Sequence, residues 1–292
     1  MHQTLPNIDF GSIRPLRGKQ TAGFEELSVQ LFHGETERRH SHRLTPPAPD
    51  VRYRFLGSKF MKFFLRILAC FTAAASAAPL TLRFDEPATD WEKHGLPLGN
   101  GTIGAVAMGD PAHDRIQITV DSLWTGDENP SGGYDEAGKQ RGQGCFGAFQ
   151  SMGDLTFTAT SSGKVSDFHR ALDLQQALHT TSWKSGITTH TREIFVSFPD
   201  KVLAWHLTAK DGTLDGLLEL KGHHSDQLKW EGNDLRLTGE PANGLKYEAR
   251  VRVFIHKGKQ QKEGDGIRLS GGEQALVLMA ADTNYVMGSD AG

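Results

Sequence analysis

Beyond residue 78 the chain alternates apolar and polar side chains with a period of two. Ile116, Ile118 and Val120 are separated by Gln117 and Thr119, and Leu155, Phe157 and Ala159 by threonines. Ile194, Val196 and Phe198 follow the same rule, which Leu203, Trp205 and Leu207 resume after Pro199-Asp200. Tyr247, Ala249, Val251, Val253 and Ile255 supply five inward positions, with Glu248, Arg250 and Arg252 opposite. A strand turns successive side chains to opposite faces, so the pattern predicts strands with one face on a core and the other in water.

Turn chemistry punctuates these runs at Lys184-Ser185-Gly186, Asp211-Gly212, Gly232-Asn233-Asp234, Asn243-Gly244, Gly264-Asp265-Gly266 and Gly271-Gly272. Glycine and asparagine accept the positive φ that tight hairpins require. Glycine makes up 33 of 292 residues, about 11% against a usual share of roughly 7%. Only residues 168–178 offer a helical pattern, and Asp173 interrupts it, so that segment reads equally as a strand edge. The prediction is an all-β fold: an antiparallel β-sandwich, of the super-sandwich kind, with short helical turns at most.

Gly99-Asn100-Gly101-Thr102-Ile103-Gly104 is formally a G-x-G-x-x-G. A dinucleotide site needs a buried strand before that pattern and a helix after it. Pro97 cannot donate to a sheet ladder, and Gly109 and Pro111 follow too soon for a helix. The glycines are therefore assigned to a tight turn at Asn100-Gly101 followed by a short strand over residues 102–108, and no nucleotide is expected.

The first 78 residues read differently. Residues 61–77 contain a basic start (Lys62, Arg66), nine residues of apolar core (67–75) and the small-x-small motif Ala75-Ser76-Ala77. These are the parts of a secretory signal. A short buried helix fits the same residues, but a bilayer span of about 20 residues does not, so no stable membrane insertion is expected. Ile67-Leu68-Ala69-Cys70 loosely resembles a lipobox, against which Leu68 and Arg66 count. Residues 1–60 are polar, carry Pro46-Pro47-Ala48-Pro49 and lack periodicity; they read as a disordered or misassigned upstream extension. The expectation is an exported chain, periplasmic or extracellular, whose folded unit is residues 78–292. Cleavage after Ala77 would leave only Cys145, so no intrachain disulfide can form. A net charge of −3 gives no field favouring nucleic acid.

Candidate chemistry is sparse. No zinc-spaced His/Cys cluster, H-E-x-x-H or G-x-S-x-G occurs, so no metal, cofactor or catalytic residue is assigned. His223-His224-Ser225-Asp226 reads as a hydrated loop, since adjacent strand residues face opposite ways. Asp121 and Glu128 flank Trp124 and are the one tempting carboxyl pair, with a turn-ordering role for Asp121 as the plainer reading. Trp205 alternates into the core; Trp124 and Trp230 could meet a sugar face or a neighbouring domain.

Several stretches taken in order resemble the N-terminal domain of glycoside hydrolase family 95, the α-L-fucosidase and related α-L-galactosidase family. They are Trp91-Glu92 with Leu96-Pro97-Leu98-Gly99-Asn100-Gly101, Gly104-Ala105-Val106-Ala107-Met108-Gly109, Arg115-Ile116-Gln117-Ile118, and Asp121-Ser122-Leu123-Trp124 through Asn129-Pro130. Gly147 to Leu155, Phe168 to Leu174 and Thr191 to Ser197 with Pro199-Asp200 continue it, so that the match covers roughly residues 80–285. Thr119-Val120-Asp121-Ser122-Leu123-Trp124 stands where the family commonly shows Asn-Glu-Asp-Thr-Leu-Trp, and residues 138–144 (GKQRGQG) look inserted.

The resemblance implies a β-sandwich that precedes a helical (α/α)6 barrel carrying the acid and the water-activating residues. On that reading the catalytic residues lie outside this chain, and its glycan substrate is reached only through the missing catalytic domain. Asn100, Trp124, Glu128 and Trp230 are the candidates for carbohydrate or interdomain contact. The intact family would hydrolyse terminal α-L-fucosyl or α-L-galactosyl residues with inversion. A free-standing carbohydrate-binding module and a structural or interaction domain remain as alternatives.

Overall fold

The computed structural model describes residues 80–125, 147–161, 163–224, 226–241 and 243–286. The proposed leader, the 138–144 segment, Glu128 and Cys145 lie outside these residues.

The described residues open with β1 (Thr81–Phe84), the helical turn α1 (Trp91–His94), β2 (Leu96–Gly99), β3 (Ile103–Ala107) and β4 (His113–Val120). A small pair, β5 (Trp124–Thr125) and β6 (Ala148–Phe149), precedes β7 (Gly153–Ala159), β8 (Val165–Asp173), β9 (Leu178–Ser185) and β10 (Thr188–Ser197). Then come β11 (Val202–Lys210), β12 (Leu214–Gly222), β13 (Gln227–Glu231) and β14 (Asp234–Gly239). The last strands are β15 (Tyr247–His256), β16 (Lys259–Glu263), β17 (Gly266–Gly272) and β18 (Gln274–Thr283).

Two antiparallel sheets face one another. One has nine strands in the order β1-β8-β9-β10-β11-β18-β15-β14-β13; the other has seven, β16-β17-β12-β7-β4-β3-β2. The inward positions of the sequence pattern meet between them: Ile116, Ile118, Leu155, Phe157, Ile194, Leu203, Trp205, Leu207 and Val251 are essentially inaccessible. The Phe157 ring meets Trp205 edge-on across the two sheets, centroids 6.4 Å apart. α1 is held at its start by Asp90, whose carboxylate accepts the Glu92 and Lys93 N–H groups at 3.0 and 3.1 Å. That is a capped turn, not a packing helix. Among the described residues no helix is long and apolar enough to cross a membrane.

Three departures from strict alternation appear. Residues 168–178, ambiguous in sequence, form most of β8 and the turn after it. Phe198 continues the Ile194–Val196 rhythm but lies beyond β10, in the turn before Lys201, and is 73% exposed. The central strands of the larger sheet are apolar on both faces: Phe195, Val202, Ala204, Leu276 and Leu278 form a second buried cluster with their backs to the main core. Such strands read as continuous apolar runs, as in Ala275-Leu276-Val277-Leu278-Met279.

Two glycines show why the backbone requires them. Gly216 on β12 faces the Phe157 ring so closely that a Cβ would lie 2.3 Å from Cζ. Gly101 has φ +92, a conformation that costs an L side chain energy. It turns β2 into β3 at the formal G-x-G-x-x-G, with Asn100 N–H donating to Ile103 O at 3.2 Å. β2 is an edge strand in which Pro97 is exposed, where a missing N–H leaves no ladder partner unmet. Of the other three edges, β13 and β16 carry lysines, Lys229 and Lys259 among them, which discourage edge-to-edge pairing.

Candidate functional site

The sandwich has two ends with different character. At one end β4 finishes, β7 begins, and β10 and β18 finish. There the Asn100 side chain accepts the Thr102 and Ile103 N–H groups at 2.9 and 2.8 Å and donates to Ser197 O at 2.7 Å. The β2–β3 turn is thereby tied to the opposite sheet. Asp121 N–H reaches Thr102 O at 2.8 Å, bringing the start of the Trp124 segment beside that turn. Replacing Asn100 with alanine removes all three bonds and is expected to lower stability by about 1–2 kcal/mol, read as a drop in thermal midpoint with the sheet spectrum unchanged.

Trp124 stands on β5 at this end, 47% exposed, with Phe149 of β6 opposite it at 50%. The rings lie 5.4 Å apart and tilted by 54°. Trp124 is held from beneath: its Nε1 donates to Asp121 O at 2.8 Å and Asn243 Nδ2 donates to Trp124 O at 2.9 Å. Leu123, the residue before, is fully buried. The result is an exposed aromatic ledge.

The structure gathers Asn100 and Trp124 at one end and places Trp230 elsewhere. Trp230 lies on the edge strand β13, half-buried against the main core, with Lys262 Nζ 4.6 Å above its ring. Glu128 lies outside the described residues. His223 and His224 diverge, the first to Asp154 Oδ2 and the second to Ser151 O, each at 2.9 Å. Asp226 accepts from the Tyr247 hydroxyl and from His224 N–H; burial pushes its carboxyl above the ordinary range, against those charges and bonds. Among the described residues no group of three His, Cys, Asp or Glu side chains is placed to hold a metal ion.

The other end holds what sequence reading missed, a buried polar quadrant inside an otherwise apolar sandwich. Inward positions of three neighbouring strands supply Arg170 (β8), His179, Thr181 and Trp183 (β9), and His190 and Arg192 (β10). Register pairs Arg170 with Thr181, Thr181 with Arg192, and Trp183 with His190. From the facing sheet comes Asp114, wholly buried, whose Oδ2 accepts from Arg192 Nη1 at 2.9 Å. Asp114 Oδ1 gathers the Gly109, Asp110 and Arg115 N–H groups at 2.8, 3.3 and 2.9 Å. Arg192 also donates to the carbonyls of Asp110 and Pro111, and its guanidinium lies 4.6 Å from the Trp183 ring centre. Arg170 holds the carbonyls of Glu86 and His94 at 2.9 and 2.6 Å, pinning the α1 segment. The connection between β3 and β4 is thus stapled to the larger sheet by charge.

His179 sits among these groups with both ring nitrogens buried and no hydrogen-bond partner among the described residues. Burial and the neighbouring Arg170 charge hold its pKa down at about 3. Burial, with Arg192, likewise lowers that of His190. The buried carboxylates are committed to arginines: Asp114 to Arg192, Asp234 to Arg252, and Glu248 to Arg236 and Arg250. Burial opposes ionisation of Glu248, but the arginine hydrogen bonds outweigh it and leave its carboxyl below the ordinary range. A carboxylate held ionised by arginine is a poor general acid.

Comparison with known proteins gives a consistent family. A family model described as the glycosyl hydrolase family 65 N-terminal domain matches residues 82–143 and 131–288. A "Probable alpha-fucosidase A" of Aspergillus niger is 28% identical, over 74% of this chain and 32% of its own length. "Alpha-L-fucosidase 2" of Arabidopsis thaliana is 26% identical, over 71% of this chain and 30% of its own length. A second "Probable alpha-fucosidase A", from Aspergillus oryzae, is 27% identical over 46% of this chain and 22% of its own length. The chain therefore spans about a third or less of the curated relatives it matches. Their fucosidase names agree with the resemblance carried by the Trp91 to Asp200 motifs, and the family model agrees with its N-terminal placement.

Proposed function

This chain belongs to the glycosyl hydrolase family 65 N-terminal domain family, and from that premise we propose that it is the N-terminal sandwich of an exported α-L-fucosidase-like glycoside hydrolase. Its role is mechanical: it braces a helical catalytic barrel and shapes one border of the cleft in which terminal α-L-fucosyl or α-L-galactosyl groups are hydrolysed. Residues 78–292 form that unit, residues 61–77 the export signal, and residues 1–60 an upstream extension. The sandwich itself contributes no catalytic group and works without a metal or cofactor.

The observation that carries this reading is the Trp124–Phe149 ledge. Two aromatic rings, each about half exposed, with Trp124 held from below, form the kind of apolar surface a neighbouring domain covers. The buried carboxylates, each bound to arginine, support the non-catalytic role. The same ledge is also what a free-standing carbohydrate-binding module would present, since apolar sugar faces pack on indole. Deleting the aligned segment from the Aspergillus niger relative separates the two. Bracing predicts a hydrolase that loses solubility or thermal midpoint together with turnover of simple fucosides. Full stability and activity after deletion would overturn it and favour a binding module.

A further inference from the structure

Asn-Gly occurs twice in the sequence, at Asn100-Gly101 and at Asn243-Gly244. The pair is chemically labile, because glycine has no Cβ to crowd its own nitrogen as that nitrogen approaches the asparagine side chain. Both glycines have positive φ, +92 at Gly101 and +79 at Gly244, and a Cβ at either would meet nothing within 4 Å. The fold separates the two sites through their asparagines.

Asn100 is half-buried, and its carboxamide makes bonds at 2.7, 2.8 and 2.9 Å, one of them across the sandwich to Ser197 O. Turning that carboxamide towards Gly101 undoes the β2–β3 turn and its tie to the larger sheet. Asn243 and Gly244 are both exposed, on the connection between β14 and β15. Asn243 Nδ2 donates to Trp124 O at 2.9 Å, and its Oδ1 accepts Leu245 N–H at a longer 3.3 Å. Gly244 N–H donates to Pro241 O at 2.9 Å. Freeing Asn243 therefore breaks contacts within one surface connection and a single link to the aromatic ledge. No sheet has to part from the other.

We propose that Asn243 is a self-modification site, at which conversion of the amide to an acid releases Trp124 from the β14–β15 connection. Hydroxide takes the Gly244 amide proton, and the freed nitrogen attacks Asn243 Cγ. That new N–C bond closes a cyclic succinimide as the Cγ–Nδ2 bond breaks. Nδ2 leaves as ammonia with a proton from water, which restores the hydroxide. Water then opens the ring at either carbonyl, giving aspartate or, with the backbone rerouted through Cγ, isoaspartate. One water enters and one ammonia leaves, with no oxidation or reduction. Either product puts a carboxylate where an N–H donor faced Trp124 O, and an acceptor cannot hold an acceptor. The Trp124 Nε1 bond to Asp121 O remains, so the ledge loosens without detaching. The inference stands on this geometry and does not rest on what covers the ledge.

Ageing the full chain at mildly alkaline pH, followed by tryptic peptide mapping, tests it. The two sites fall in separate peptides, residues 94–115 and 237–246. In the folded chain the 237–246 peptide should gain its acid and isoaspartyl forms roughly tenfold faster than the 94–115 peptide. In urea the two rates should converge, since the local sequence is Asn-Gly in both. Asn243→Asp should speed hydrogen exchange at the Trp124 and Thr125 amides by roughly fivefold, and the aged wild type should match it. Equal rates in the folded chain, earlier conversion at Asn100, or an Asn243 that persists while the unfolded chain converts would each overturn the site. Exchange at Trp124 and Thr125 left unchanged by Asn243→Asp would overturn the release of the ledge. None of these outcomes bears on the deletion experiment that tests the bracing role.

Discussion

Replacing Asp114 with alanine is expected to destabilise the protein by about 3–5 kcal/mol. The carboxylate is fully buried, faces the Arg192 guanidinium at 2.9 Å, and collects three backbone N–H groups. Its removal leaves a cation inside the sandwich without a counter-charge, and three donors short of an acceptor. The cost comes from stranded partners more than from lost attraction. Arg192→Leu should cost a similar amount, because the carbonyls of Asp110 and Pro111 lose their donors as Asp114 loses its cation. The double variant Asp114→Leu/Arg192→Leu should cost clearly less than the sum, since neither charge is then orphaned. Its recovery stays partial, as the backbone groups remain unpaired. Urea midpoints at constant m-value measure all three. Additive losses would show that the pair is not a coupled unit.

Acid should unfold the protein through His179. Its pKa is about 6.5 in the unfolded chain and about 3 when folded. The folded state holds the ring neutral, so above pH 6.5 the group has no effect on the balance. As pH falls from 6.5 towards 3 the unfolded chain takes up a proton that the folded one refuses, and stability falls with pH. The full difference corresponds to roughly 4–5 kcal/mol. Arg170 on β8 is the charge beside it. His179→Gln removes the titration, so its unfolding free energy should change less between pH 7 and pH 4 than the wild type's. Glu248, whose folded pKa is depressed, adds a carboxylate loss in both proteins at lower pH and cancels in the comparison. Parallel pH profiles for the two proteins would remove His179 from the account.

Much of the fold was legible because strand alternation and turn residues are local signals. The Ile116–Val120, Leu155–Ala159 and Tyr247–Ile255 rhythms fall on β4, β7 and β15. The Asn100-Gly101 turn followed from Pro97 before it and Pro111 after it. Phe198 misled because periodicity carries no mark of where a strand ends; the turn at residues 198–201 breaks it. The polar quadrant was not legible at all. Leu178-His179-Thr180-Thr181-Ser182-Trp183 is polar on both faces of β9, so no period says which face is buried. The partner that makes burial of Arg192 tolerable, Asp114, lies 78 residues earlier. Such a pairing is set by sheet stacking, which local sequence does not encode. Trp230 was ambiguous for a related reason, since its cover, Lys262, comes from the opposite sheet.

The ledge was partly foreseen. Trp124 stood out beside Gly126 and Pro130, but Phe149 joined it only through β5–β6 pairing across an intervening segment of 22 residues. What the sequence suggested as a tryptophan is in the fold an aromatic pair at the end where β10 and β18 also finish. That position suits a bracing surface.

On the proposed reading this sandwich serves a hydrolase without carrying its chemistry. Incubating the purified chain with a fluorogenic α-L-fucoside tests that most directly. Product release indistinguishable from buffer is predicted; release that scales with protein concentration and survives repurification would contradict it.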